Sequence, residues 1–323
     1  MVVPHCCSST AIAGQGKGFD AGSKLVRQSS DTSDSLGKAA LRAIPPGLHF
    51  VSTPIGAARD ITLRALDVLT GADVLVAEDT RTLKRLLEIH GIALGGRPLI
   101  AYHDHSGAAQ MQRLLGLLAE GKSLAYASEA GTPLISDPGF ELARAAVAAG
   151  LPISAAPGPC AAVCALTVSG LPSDRFLFAG FAPSAKAARR SFLADLAGVQ
   201  ATLILYESPK RLAALLEDLA AILGGSRQAA VCREMTKRFE EILRGTLAKL
   251  ASDVAARDIK GEIVVLVDRS PPAEATSESV EAALDEALQT MSVKDAASFV
   301  SQTLKVSRKI AYQIALDRNQ GQG

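Results

Sequence analysis

Short apolar runs alternate with helix-period segments along most of the chain. Leu48-His49-Phe50-Val51, Val74-Leu75-Val76-Ala77, Leu124-Ala125-Tyr126-Ala127 and Ile153-Ser154-Ala155 predict strands. Between them, Leu63 to Leu69, Leu83 to Ile89, Met111 to Leu118 and Leu142 to Val147 repeat apolar residues at helical spacing. Strands alternating with helices of this length predict βαβ units and a mainly parallel sheet. The alternation resumes after Cys160, with strands over 175–180 and 201–206 and helices over 185–196 and 211–223. Gln228 to Cys232, Phe239 to Leu243 and Glu262 to Val267 complete a second sheet. The pattern therefore predicts an α/β fold of two domains with a cleft between them, hinged near Leu171-Pro172-Ser173, and such clefts are frequent ligand sites. A small helical appendage follows: Val280 to Met291 is amphipathic, Ser292 N-caps a helix ending near Leu304, and Ser307 caps a last helix through Leu316.

Composition shifts set the boundaries. Residues 1–46 are rich in Ser, Gly, Ala and Asp and lack periodicity, which reads as a disordered extension. No apolar segment of a secretory signal follows the start, and Asp20, Asp31 and Asp34 argue against an organelle transit peptide. A misassigned start is an equal reading, and the extension is expected to be dispensable. The α/β domains then occupy 47–157 and 158–269, a Ser/Pro/Ala/Glu-rich linker 270–278, and the appendage 279–323.

With 323 residues, 48% hydrophobic and 21% charged, the chain suits compact domains with filled cores. Its apolar runs are broken well short of a membrane-spanning length, so a soluble, cytoplasmic protein with no membrane partner is expected. Net charge is +1, so nucleic acid binding would need local basic patches. The five cysteines form no disulfide framework, and Cys160, Cys164 and Cys232 read as small core residues. His5-Cys6-Cys7 and His103-Asp104-His105 lack the further ligands a metal site needs, and no metal is expected.

Candidate chemistry gathers in three Gly/Pro loops, each straight after a predicted strand. They are Thr53-Pro54-Ile55-Gly56, the long stretch Ser128-Glu129-Ala130-Gly131-Thr132-Pro133-Leu134-Ile135-Ser136-Asp137-Pro138-Gly139, and Ala156-Pro157-Gly158-Pro159-Cys160. Glycine permits positive φ and close backbone approach, and proline fixes the chain. Ligands of open α/β sheets bind beyond the carboxyl ends of the strands, so these loops imply one shared pocket. Neither a Gly-x-Gly-x-x-Gly fingerprint nor a phosphate loop is present, which disfavours dinucleotides and nucleoside triphosphates.

These loops occur in order with Asp60-Ile61-Thr62, Ala77-Glu78-Asp79-Thr80-Arg81, Tyr102-His103, Ser169-Gly170-Leu171-Pro172-Ser173-Asp174, Tyr206-Glu207-Ser208-Pro209, Arg233-Glu234 and Gly245-Thr246. Over about residues 47 to 268 the chain resembles the tetrapyrrole methylase superfamily, and within it the cytidine 2′-O-methyltransferases of the ribosomal RNA small subunit methyltransferase I family. The helical tail resembles that family's C-terminal domain. The resemblance implies two α/β domains of the tetrapyrrole methylase type, with S-adenosyl-L-methionine as methyl donor in the cleft. Pro54, Gly56, Ser128, Glu129, Ala130, Gly131, Thr132, Pro133, Pro157, Gly158 and Pro159 would hold it, largely through backbone groups. It also implies a homodimer acting on a decoding-centre cytidine of 16S rRNA in the small ribosomal subunit. Two positions depart from the family pattern: Glu129 stands for Asp, and Ala57 for Asn.

Methyl transfer to a ribose hydroxyl is an in-line displacement that needs orientation and a proton acceptor. Asp79, His103 and Glu207 are the candidates, each just beyond a predicted strand. Asp79 comes first, although capping the helix that starts near Thr80 is an equally ordinary role for it. Arg81, Lys84 and Arg85, with Arg308 and Lys309 of the last helix, are candidate contacts for RNA phosphate, against the default of solvated helix faces. Lys186, Arg189 and Arg190 form a similar basic face. Two other readings keep the fold: a small-molecule methyltransferase acting on a tetrapyrrole, and a non-catalytic RNA-binding protein.

Overall fold

The structure is a computed structural model that describes residues 44–103, 106–270 and 277–320. His5-Cys6-Cys7 and nearly all of the N-terminal extension lie outside the described residues, as do Asp104, His105 and most of the linker.

Five strands form the first sheet: β1 (Gly47–Val51), β2 (Val74–Ala77), β3 (Leu99–Ala101), β4 (Ser123–Ala127) and β5 (Ile153–Ala156). Their order is β3-β2-β4-β1-β5, and every pairing is parallel. The crossovers are α1 (Leu63–Gly71), α2 (Thr80–Ile89), α3 (Ala108–Ala119) and α4 (Phe140–Ala148). Period-two alternation decides which helix covers which face. Leu48, Phe50, Val76, Leu124 and Tyr126 pack with Leu114 and Leu118 of α3 and Leu142 of α4. The alternate residues Val51, Leu75, Ala77 and Ala125 pack with Leu69 of α1 and with Leu83 and Leu87 of α2. Both faces are covered, as a parallel sheet requires. The packed chain also starts earlier than composition suggested. Ile44 lies against the α1/α2 cluster, and the Pro45 carbonyl accepts a hydrogen bond from His49 Nε2 at 2.8 Å.

Arg97 holds one end of this domain together. Its guanidinium donates to the carbonyls of Leu69, Thr70 and Ala72 at the end of α1, at 2.8 to 3.0 Å, and to Ala93 and Leu94 at 2.9 Å. Lysine would keep the charge but cannot span these acceptors. Arg97→Lys is therefore expected to cost about 2 kcal/mol, since hydrogen bonds from charged donors contribute roughly 1.5–3 kcal/mol. Urea denaturation with an unchanged m-value checks this.

The second sheet contains β6 (Phe176–Phe181), β7 (Thr202–Glu207), β8 (Gln228–Arg233), β9 (Glu241–Thr246) and β10 (Ile263–Val267), in the order β6-β7-β10-β8-β9. Only β6 and β7 are parallel to each other; the remaining pairings are antiparallel. β9 begins two residues after its predicted start because Glu241 pairs with Arg233, and Phe239 is left exposed in the connecting turn. Helix α5 (Ala161–Ser169) covers one face, while α6 (Lys186–Asp195), α7 (Pro209–Leu223) and α8 (Leu247–Ala255) cover the other. Cys232 is buried under α5, with Cys160 and Cys164 packed beside it.

The basic face predicted on α6 is solvated only in part, with Lys186 and Arg190 exposed and Arg189 buried. Arg189 is only 6% exposed and binds Asp218 of α7 through Nε at 2.8 Å, while Arg190 reaches the same carboxylate at 2.9 Å. Asp218 is buried where α7 packs toward α6, so Arg189 is drawn into the core while Arg190 stays at the surface.

The appendage comprises α9 (Ser277–Leu288), α10 (Val293–Leu304) and α11 (Arg308–Gln320), closed around Val280, Leu284, Ala297, Val300 and Ala311. Ser292 caps α10 by accepting from the Asp295 amide at 3.2 Å. Arg318 is spent internally, paired with Glu281 and Asp285 of α9. Arg308, Lys309 and Tyr312 instead line a shallow hollow with Lys294 of α10.

Candidate functional site

The loops after β1, β4 and β5 converge through hydrogen bonds that side chains and backbone share. Thr53 and Gly131 exchange backbone bonds of 2.9 and 3.0 Å, an antiparallel bridge joining the first two loops. Thr53 Oγ1 donates to the Ser128 carbonyl at 3.2 Å, and Ser128 Oγ donates to the Gly131 carbonyl. Thr132 Oγ1 donates to the Pro159 carbonyl at 2.9 Å and accepts from Ser52 Oγ at 3.3 Å. Thr62, the N-cap of α1, donates to the Pro157 carbonyl at 3.1 Å.

Glycine is required at two points of this convergence. Gly131 has φ +90°, where a Cβ would stand 3.3 Å from Ile55. A Cβ on Gly158 would stand 2.8 Å from the Ser52 side chain. A contact from the second domain completes the frame: the Ala57 amide donates to Thr236 Oγ1 at 3.1 Å. Any residue can supply that amide, so alanine at this position keeps the contact.

Beside these loops lies a cavity of about 400 Å³, in the range of small-molecule sites. Ile55, Ala130, Gly131 and Thr132 form its wall from the first domain, and Phe181, Tyr206, Glu207, Ile263 and Val264 its wall from the second. Tyr206 is wedged between Phe178 and Phe181, with ring centroids 4.9 and 5.7 Å away. Burial pushes its phenol above the ordinary range.

The candidate carboxylates and His103 are placed differently. Glu207 lines the cavity with a fully buried side chain, 3.1 Å from the Arg211 guanidinium, and accepts from the Ser208 amide at 2.7 Å. Asp79 N-caps α2, accepting from the Arg81 amide at 2.7 Å and pairing with the Arg81 guanidinium at 2.7 Å. Those Arg81 bonds hold its carboxyl down at about 2. His103 is exposed beyond β3, its amide donating to Ser106 Oγ at 2.8 Å. Neither Asp79 nor His103 lines the cavity. Asparagine caps as well as aspartate, so Asp79→Asn is expected to keep turnover within about threefold; a radiolabel assay of methyl transfer checks this.

Among the expected cofactor loops, Ala130, Gly131 and Thr132 touch the cavity directly. Ser128, Pro157, Gly158 and Pro159 support that loop, and Pro54, Gly56 and Pro133 flank the same convergence without lining the cavity. Arg81, Lys84 and Arg85 are exposed on α2, where Arg81 also feels the charge of Glu129.

Asp137 was not among the residues singled out by sequence, although the motif that contains it was. It lines the cavity, and its Oδ2 is buried with no hydrogen-bond partner. Burial, reinforced by the negative charges of Glu78 and Glu129, pushes its carboxyl up to about 7. The loop that holds it is strained: Leu134 and Ser136 have φ of 71° and 61°, which non-glycine residues seldom adopt. Tyr126 pins the loop by donating to the Pro138 carbonyl at 3.0 Å.

Comparison with known proteins places this geometry. Residues 47–251 match the family model of tetrapyrrole (corrin/porphyrin) methylases, and residues 274–319 match the RsmI C-terminal HTH domain. Proteins named ribosomal RNA small subunit methyltransferase I are similar over most of the chain. The one from Mesorhizobium japonicum is 49% identical over 73% of this chain and 79% of its own length. That from Vibrio cholerae is 41% identical over 84% of this chain and 95% of its own. Among solved structures, cobalt precorrin-4 methyltransferase aligns with a TM-score of 0.51 at 18% identity, over 68% of this chain and 94% of that one. The methyltransferase CobJ aligns with a TM-score of 0.53 at 19% identity, over 69% and 94%. These two likenesses speak to the fold alone.

Proposed function

Since the chain belongs to the ribosomal RNA small subunit methyltransferase I family, on a tetrapyrrole methylase fold, we propose that it methylates the ribose 2′-hydroxyl of a decoding-centre cytidine in small-subunit ribosomal RNA. The methyl donor is S-adenosylmethionine. The observation that carries this reading is the stitched convergence of the three Gly/Pro loops on a cavity shared by both domains.

The residues present fit such a donor. Ile55, Ile263 and Val264 offer apolar contact, Phe181 and Tyr206 offer ring faces, and Glu207 offers an acidic group suited to a cationic sulfonium. When bound, the donor supplies a methyl group on an already positive sulfur. The protein's task is then to orient the acceptor and take its proton. Holding the reacting groups in near-attack geometry can contribute roughly 7–11 kcal/mol of the barrier. The bridge between Thr53 and Gly131 and the Thr132–Pro159 bond keep the loop backbone fixed for that purpose.

Substrate RNA would meet phosphate contacts at Arg81, Lys84 and Arg85, exposed on α2, and at Arg308 and Lys309 in the hollow of the helical appendage. The homodimer implied by the resemblance belongs to this proposal, and Phe176 and Leu177, exposed on the edge strand β6, offer it an apolar surface. Labelled donor offered in parallel to small ribosomal subunits, to their naked RNA and to a porphyrin-type tetrapyrrole tests the reading. Label on RNA is the expected result. Label confined to the tetrapyrrole would overturn it.

A further inference from the structure

Asp137 has a carboxylate oxygen that nothing in the protein uses. Its Oδ2 is buried without a hydrogen bond, in a residue that lines the cavity where both domains meet. An unsatisfied buried acceptor is costly, so a fold retains one where a ligand completes it. The backbone on either side is held in unfavourable conformations at Leu134 and Ser136, and such strain persists only where surrounding structure enforces it. Here the enforcing contacts are the Tyr126–Pro138 hydrogen bond and the bridged Gly131 at the start of the same loop.

Other acidic groups near the cavity are already engaged. Glu207 Oε2 also lacks a hydrogen bond, but it stands 3.1 Å from the Arg211 guanidinium, an opposite charge, whereas the charges acting on Asp137 are the negative ones of Glu78 and Glu129. Glu262 and Glu234 share Lys237 at 2.9 and 3.0 Å. We propose that Asp137 is the proton acceptor for the methylated hydroxyl. The proposal rests on the methyltransferase reading above. In the step, the acceptor oxygen bonds to the methyl carbon as the carbon–sulfur bond breaks. The electron pair of that bond goes to sulfur, leaving a neutral thioether, and the hydroxyl proton passes to the Asp137 carboxylate and later to solvent.

The electrostatic setting agrees with the role. Glu78 after β2 and Glu129 after β4 face Asp137 with negative charge, and Tyr206 on β7 faces it with a phenol that burial keeps protonated. A base is most effective when its pKa lies near the working pH, and a carboxyl at about 7 meets that condition. Its ionised form is the active one, so transfer should rise with pH through that value and level off above it.

Two measurements decide the matter, one of them without substrate. In the ligand-free protein, carbon-13 NMR of labelled aspartate, assigned with Asp137→Asn, should show Asp137 titrating near neutrality. Glu129→Gln should move that titration, and the rise in kcat/KM, to lower pH. Asp137→Asn should bind S-adenosylmethionine as the parent does yet lose about 10²–10⁴-fold in transfer. Its melting temperature at pH 8 should hold or rise, because an unpaired buried charge has been removed. A carboxyl already ionised at pH 5, or an Asn variant that transfers within threefold of the parent, would overturn the proposal. A parent protein that transfers no label strikes instead at the methyltransferase reading, and the titration still judges Asp137 by itself.

Discussion

Valine at Gly131 should reduce methyl transfer by about 100-fold or more and weaken S-adenosylmethionine binding at least tenfold. The effect follows from backbone geometry before any contact is considered. At φ +90° a β-branched residue is a steric outlier, and such strain costs on the order of 1–3 kcal/mol. The new Cβ would also press Ile55 at 3.3 Å and approach the Pro159 carbonyl at 3.7 Å. Relief requires the loop to move, yet the Gly131 amide and carbonyl are both bonded to Thr53, and the carbonyl also accepts from Ser128. Any such movement displaces Ala130 and Thr132 in the cavity wall, and a displacement of about 1 Å can cost about 10²-fold in rate. Gly131→Ala should fall between the parent and the valine variant. Calorimetry of donor binding, run beside the transfer assay, checks both effects; normal binding by the valine variant would remove this loop from the cofactor site.

Asp218→Ala should destabilise the protein by about 3–5 kcal/mol, the usual cost of leaving a buried charge without its partner. Arg189 and Asp218 have side chains only 7% and 5% exposed, and Arg190 depends on the same carboxylate. Burial opposes ionisation of Asp218, but hydrogen bonds from Arg189 and Arg190 outweigh it and hold its pKa below the ordinary carboxylate range. A carboxylate depressed on folding stabilises above its unfolded pKa of about 4 and loses that contribution as pH falls through the folded value. The gap between parent and variant should therefore be full at pH 7 and narrow below about pH 4. Chemical denaturation at several pH values measures it. Asp218→Asn, which retains an acceptor but no charge, should fall between the two.

Those residues also show what could be read from the chain. Four strands of the first sheet were legible because alternate residues such as Leu48 and Phe50, against Val51, serve opposite faces of a doubly covered sheet, whereas β3, only three residues long, was not singled out. Three Gly/Pro loops after β1, β4 and β5 located the pocket for the same reason: parallel topology brings every strand's carboxyl end to one edge. Strand direction in the second sheet was less accessible, since it depends on which strands pair across 30 or more residues, as β7 does with β10.

Charge was the least legible property. Lys186, Arg189 and Arg190 look like a solvated helix face, because the Asp218 that draws Arg189 inward and pairs with Arg190 lies 29 and 28 residues away. Asp137 stood within a recognised motif, but what distinguishes it is a missing partner, and sequence cannot display that. Asp79 attracted notice through its position after β2, whereas its side chain caps the next helix and pairs with Arg81.

The position of the methyl group on the ribosomal RNA is the decisive measurement. Small ribosomal subunits from cells lacking this activity would be incubated with the protein and labelled S-adenosylmethionine, and the RNA analysed by nucleoside mass spectrometry and fragment mapping. Label is expected as 2′-O-methylcytidine at a single position in the decoding centre. Label on a base atom, or at a nucleotide outside that centre, would contradict the proposed function.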